Sequence, residues 1–216
     1  VNEQPPPADL PTLESTIDIR VRGNSSRYFD KHSYLIKALT DNGASSRDVA
    51  MLGMQEFDEW ALYGPYLDKS LIRNYMWYNL AGELMDYAPN VRFCEVLLNG
   101  EYQGLYVMTE TINSAVDARL KLTEPSRDTI QTSYALRLDR GSGNDVRNIE
   151  TFSQYALRNL QDMDIVYPGT KWLTPERTAW IAQDFSDFEK SLYSYDYDTE
   201  PYAWWEQADL NSFADY

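Results

Sequence analysis

Cysteine and histidine are nearly absent from this chain, and each shortage removes a class of chemistry. With Cys94 alone, no internal disulfide and no multi-cysteine metal site can form. Its neighbours Phe93 and Val96 mark it as a buried small hydrophobe. His32 is the single histidine, which rules out Ser-His-Asp or Cys-His catalysis by ordinary means and any multi-histidine metal centre. A bound metal must then be held by oxygen ligands, in the manner of magnesium or calcium. Positive charge is also scarce. A formal charge of −15 excludes an unaided nucleic-acid binder, because phosphate backbones demand a concentrated basic surface. The acidic field favours cations or basic partners, and it equally suits a well-solvated secreted protein. No run approaches the roughly 20 apolar residues of a membrane-spanning helix. The opening Val1 and Pro5-Pro6-Pro7 lack the charged and apolar regions of a signal peptide, which leaves export open if a leader has been removed.

What is present is enough for a core. Hydrophobic residues make up 43% of the 216, enough for one good core or two small ones sharing a face. Tyrosine and tryptophan are abundant and suit either ordinary packing or a surface that meets carbohydrate or protein. Residues 1–15 read as an extended, proline-rich arm. Thr16–Arg22 alternates apolar and polar residues and stops at Gly23-Asn24-Ser25-Ser26, and Ser33–Leu39 follows as its antiparallel partner. Trp60–Tyr63 is a short strand closed by Gly64-Pro65. Residues 68–87 carry Leu71, Ile72, Tyr75, Met76, Tyr78, Leu80 and Leu84 at helical spacing, with Asp68 or Ser70 placed to cap the start. Val91–Leu98 and Tyr102–Thr109 form a hairpin about Asn99-Gly100. Tyr134–Leu138 is a further strand. From Thr174 the pattern turns helical, with Trp180, Ile181, Phe185, Phe188 and Leu192 on one face. Asn211-Ser212-Phe213 opens another helix. This order predicts an α+β protein: an antiparallel sheet with a packed long helix, followed by a helical region. The expected division is an arm (1–15), an α+β region (16–140) and a helical region (141–216).

Four segments, taken together, resemble the spore coat protein H (CotH) kinase family. They are Arg22-Gly-Asn-Ser-Ser26 with Lys31–Lys37, Trp60–Asp68 with Ser70–Asn74, Val96–Tyr106, and Thr109-Glu110. Tyr167-Pro-Gly169, Phe188-Glu189 and Ser212-Phe213 are similar to later features of that family. The resemblance implies an atypical protein kinase with a reduced kinase-like fold. It also implies use of ATP with magnesium or manganese, serine-rich protein substrates, and a place on the spore coat or outside the cell. In the family, the catalytic-loop Asp or Asn and the metal-binding Asp follow the Ser-Phe segment. Those groups are therefore expected C-terminal to Tyr216, in which case this portion binds nucleotide weakly without turnover.

Phosphoryl transfer needs cations on the phosphates, metal ligands and an aligned hydroxyl. Arg22, Asn24 and Ser25 offer a cation, amides and a hydroxyl in one turn, although the turn departs from a G-x-G-x-x-G pattern. Lys31 and Lys37 are six residues apart, on one side of a strand where extended pairing holds, and either could reach the phosphates. Asp68, Arg73 and Asn74 stand at a helix start, where free amides favour anions. Arg73 is either a phosphate cation or an ion-pair partner of Asp68. Glu83 is the acid available later in that helix. Glu110 ends the hairpin, either lining a nucleotide pocket or holding a cation, or simply as a surface residue. Asp139 is a lesser candidate for a pocket acid, and Asp196, Asp198, Asp209 and Asp215 read as solvated. The competing function is a non-catalytic module that binds protein or carbohydrate through its aromatic, acidic surface.

Overall fold

The computed structural model describes residues 13–112, 122–139, 146–153, 162–193, 205 and 207–209. The chain forms two compact units, Val1–Ile112 and Asn113–Tyr216.

The first unit is built on a five-stranded antiparallel sheet. Its strands are β1 (Thr16–Arg22), β2 (Ser33–Leu39), β5 (Glu59–Tyr63), β6 (Val91–Leu98) and β7 (Glu101–Glu110), in the order β1-β2-β5-β7-β6. A separate two-stranded ribbon, β3 (Val49–Ala50) with β4 (Glu56–Phe57), lies between β2 and β5 in the chain. The helix α1 (Arg73–Leu84) connects β5 to β6.

The register assigns each side chain to a face. Ile17, Ile19 and Val21 of β1 lie opposite Ala38, Ile36 and Tyr34 of β2. Ile36 and Tyr34 in turn face Trp60 and Leu62, which face Glu110 and Met108. That face is apolar. Ala38, Ile36, Trp60, Leu62, Tyr106 and Met108 are buried there, and buried Val49, Met54 and Phe57 complete the core. Phe57 contacts Trp60 at 5.7 Å between ring centroids, and the Trp60 indole donates to the Phe57 carbonyl at 3.2 Å. The opposite face carries Asp18, Arg20, Arg22, Ser33, Leu35, Lys37, Ala61, Tyr63, Val107 and Phe93. There α1 packs through Tyr75, whose ring stacks on Phe93 at 4.3 Å.

The Asn99-Gly100 turn has both residues at positive φ (52° and 84°), the backbone that lets two residues reverse a right-twisted hairpin. A bulge follows. The pairing slips between Val96 and Leu97, and Gly104 at φ 83° absorbs the extra residue.

The second unit holds a three-stranded antiparallel sheet in the order β8 (Ala135–Asp139), β10 (Asp162–Tyr167), β9 (Asn148–Ile149). The helix α2 (Pro175–Tyr193) packs on it, burying Ile181 against Ile149, Met163 and Ile165. Thr174 accepts the Arg177 amide at 3.2 Å ahead of Pro175, so α2 begins as the Thr-Pro-Glu sequence predicts.

The α+β class stands, with antiparallel sheets and two helices among the described residues. Several details differ from expectation. The β1–β2 connection, read as a turn of small residues, contains a 3-10 turn at Ser25–Tyr28. The region after 140 is not simply helical, because β9 and β10 complete a sheet with β8. For the same reason the units divide between Ile112 and Asn113 and not near 140: β8 pairs with β10 and not with the first sheet. The helix predicted over 68–87 is shorter at both ends, and at its start Leu71 adopts φ 65°, which cannot continue a helix. The arm at residues 1–12 and the helix expected at 211–213 lie outside the described residues, as do Asp196, Asp198 and Asp215.

Candidate functional site

The loop between β1 and β2 and the loop entering α1 are tied together at one end of the first sheet. Phe29 stacks on Tyr66 at 5.0 Å, and the Tyr66 hydroxyl donates to Asp30 at 3.3 Å. The Gly64 amide donates to the Ser33 hydroxyl at 3.0 Å. A side chain at Gly64 would sit 2.7 Å from the His32 carbonyl, so glycine is required for this approach. At the loop's start, a Cβ on Gly23 would collide with the Ser26 hydroxyl, and its φ of 117° is a glycine conformation.

Asp68 organises the start of α1. One carboxylate oxygen accepts the Ser70 amide at 3.0 Å and the Ser70 hydroxyl at 2.5 Å; the other accepts the Arg73 amide at 2.9 Å. The Arg73 guanidinium stands 3.6 Å away and is largely exposed. These bonds, led by the Ser70 hydroxyl, hold the Asp68 carboxyl below the usual aspartate range. Asp68 is thus the capping residue, and it acts on the first helical amide across a five-residue loop. Because its folded value lies below the unfolded value of about 3.9, its contribution is complete above that pH and is lost as pH falls further. The expected result is an acid-induced loss of helical circular dichroism below pH ~4 that Asp68→Asn makes smaller, the variant being less stable at neutral pH.

The candidate cations divide between the two faces. Arg22 pairs with Ser33, which stands beside Tyr63, so this row lies on the face that carries α1. Burial and then the nearby Asp68 charge raise the Tyr63 hydroxyl, which places Asp68 and the start of α1 by the same row. Arg22 is exposed, and its guanidinium has no ion-pair partner among the described residues. Lys37 shares this face but is paired with Asp58 at 3.4 Å, four residues along β2 from Ser33, about 13 Å by strand rise.

Lys31 does not share it. The residue precedes β2 in a bend, so strand alternation does not apply, and its side chain crosses Gly64 to the apolar face. There its ammonium lies 4.5 Å from the Tyr106 ring centroid and donates to the Gln103 carbonyl at 3.3 Å, beside the Gly104 bulge. Burial lowers its pKa. The expectation that Lys31 and Lys37 lie on one side therefore gives way to opposite faces.

Glu110 also projects to the apolar face, opposite Trp60, and is buried. Its carboxylate accepts the Asn90 amide at 2.8 Å and the Asn90 side-chain amide at 2.9 Å. Asn24 precedes the 3-10 turn without a side-chain capping bond, and Ser25 is exposed within it. Glu83 is exposed on α1 and Asp139 closes β8. Cys94 is half-buried, and desolvation pushes its thiol up to about 11, which makes it inert as a nucleophile. Lys69 was not among the expected residues. It donates to the Tyr66 carbonyl at 2.8 Å and lies 4.8 Å from the Tyr66 ring centroid. A lysine directly after the capping aspartate was the available signal.

Among the described residues, no group of three His, Cys, Asp or Glu is placed to hold a metal ion. No described helix is long and apolar enough to cross a membrane. Fold and geometry together define an α+β protein that sets two exposed arginines and a helix start on one face of an antiparallel sheet. The model of the CotH kinase protein family matches residues 19–216, and the chain belongs to that family. It is 28% identical over 125 residues to the inner spore coat protein H of Bacillus subtilis (strain 168). That alignment covers 57% of this chain and spans about a third, 32%, of the relative.

Proposed function

We propose that this chain is the nucleotide-facing portion of a CotH-type kinase that transfers phosphate from ATP to serines of spore coat or secreted proteins. The observation that carries the reading is the shared face. Arg22, with no carboxylate partner among the described residues, lies in the row of Ser33 and Tyr63, and Arg73, beside Asp68 at the start of α1, lies by the same row, so that two exposed cations on one face are offered to phosphate charge. Asn24 and Ser25 add a loop amide and hydroxyl just after Arg22 in the chain. These groups fit the phosphate end of a nucleotide. The described acids do not fit its metal, so no metal-dependent step follows from them. When bound, magnesium or manganese would neutralise β- and γ-phosphate oxygens. The relative's name supports the spore coat location and the family's description supports the kinase activity, while serine as the acceptor is part of the proposal.

Calorimetry with ATP·Mg²⁺ tests the assignment. The double variant Arg22→Ala, Arg73→Ala is expected to weaken binding by about tenfold or more, since each charge-assisted bond is worth roughly 1.5–3 kcal/mol. Lys31→Ala, altered on the other face, is expected to bind within about twofold of wild type. A loss caused by Lys31→Ala and not by the double variant would overturn the assignment.

A protein-binding module is the second reading, and one observation favours it. Ile72, Met76, Trp77, Leu80 and Leu84 form an exposed apolar stripe from the N-cap of α1 along its length. Saturable nucleotide binding that depends on the two arginines separates the kinase reading from this one.

A further inference from the structure

The strand β1 is an edge strand whose seven residues are all exposed. Its apolar residues Ile17, Ile19 and Val21 are 44%, 39% and 41% exposed, although they continue the row that Ala38, Ile36 and Tyr34 carry into the core. The backbone is open on the same side. Ala38 donates to the Asp58 carbonyl at 2.7 Å and accepts the Arg47 amide at 3.0 Å, both away from β1. By strand alternation, Ser33, Leu35 and Lys37 therefore exchange the bonds with β1, through Arg22, Arg20 and Asp18. The amides and carbonyls of Ile17, Ile19 and Val21 consequently point off the edge. No partner engages them among the described residues.

We infer that β1 pairs with β1 of a second copy of this chain, antiparallel about Ile19, joining the two sheets into one. The sequence Thr-Ile-Asp-Ile-Arg-Val-Arg complements itself in this register. Ile19 meets its own copy, Ile17 meets Val21, Asp18 meets Arg20, and Thr16 meets Arg22. Each apolar pair is also one whose backbone groups are free to exchange both bonds. The apolar rows of the two copies become neighbours on one face, and opposite charges face each other on the other. Shifting the centre by one residue brings Asp18 against Asp18 or Arg20 against Arg20, and an odd offset between strands would turn apolar side chains to the polar face. An extended peptide from another protein could use the same open edge, but a second copy already carries the charge pattern that this edge matches. One seven-residue edge buries less than a standard interface, so the dimer is expected to be weak, with Kd roughly in the tens of micromolar.

Sedimentation velocity at physiological salt tests it. Wild type is expected to dimerise with concentration. Asp18→Arg alone sets two positive charges opposite each other, and Arg20→Asp alone sets two negative ones, so each single variant is expected to weaken dimerisation more than tenfold. Their equimolar mixture restores opposite charges across the new edge and is expected to dimerise, as is the double swap. Recovery on mixing cannot come from misfolded chains. Wild type that stays monomeric to about 0.5 mM, far above the expected Kd, would overturn the inference. So would single variants that dimerise as wild type does, or a mixture that remains monomeric.

Discussion

Replacing Arg177 by alanine is expected to cost the second unit about 4 kcal/mol, read as a lower midpoint in urea unfolding followed by circular dichroism. The residue is 4% exposed on α2, and the partners of its guanidinium are backbone carbonyls. Its Nε donates to Ile130 at 3.0 Å and one terminal nitrogen donates to Trp172 at 2.6 Å. The other terminal nitrogen reaches Thr129 at 2.5 Å and also Ser126. One planar group thereby pins the loop before β8 and the turn before α2 to the helix that covers the sheet. Removing it leaves four carbonyls short of a donor, each worth about 1 kcal/mol or more when desolvated. Arg177→Lys is expected to recover less than half of the loss, because an ammonium has three donors and no fixed fork to span these directions. A cost below about 1 kcal/mol for the alanine variant would show that these loops hydrate freely once the arginine is gone.

Arg177 also marks the boundary of what sequence alone makes legible. Its position on a helix was plain, since Thr174-Pro175-Glu176 announces the start of α2. Its burial was not, because nothing in the local pattern reveals that distant carbonyls converge on it. Elements with strong local chemistry were readable: β1 and β2 from their alternation, and the β6–β7 hairpin from Asn99-Gly100. The strand β10 was missed, although Met163, Ile165 and Tyr167 alternate, because its run is only six residues long and carries two aspartates, Asp162 and Asp164. The apolar periodicity of α1 was real and misleading at once. No residue of α1 is buried; the helix touches the sheet through Tyr75, while its most apolar stripe stays exposed. In the candidate site, the residue types were readable but their directions were not. Lys31 departs from strand alternation just outside β2, and the two-residue difference between its place and the strand start decides which face its charge serves.

Glu110 gives the second large effect, and it separates a structural carboxylate from a nucleotide ligand. Glu110→Ala is expected to destabilise the first unit by about 2 kcal/mol, because the amide and side-chain nitrogen of Asn90 both lose their acceptor in a part-buried setting. Asn90 precedes β6, and its carbonyl accepts the Glu110 amide at 3.1 Å, so the pair fastens the end of β7 to the start of β6. Glu110→Gln keeps one acceptor oxygen but turns a donor toward one of the Asn90 nitrogens, and should retain roughly half of the stability. Urea unfolding orders the three proteins. Since Glu110 projects to the face opposite α1, ATP·Mg²⁺ affinity measured well below each variant's melting temperature should stay within about twofold of wild type. A glutamine variant of wild-type stability that binds nucleotide tenfold more weakly would instead move the pocket to the face that carries Lys31 and Tyr106, and would take the phosphate role away from Arg22 and Arg73.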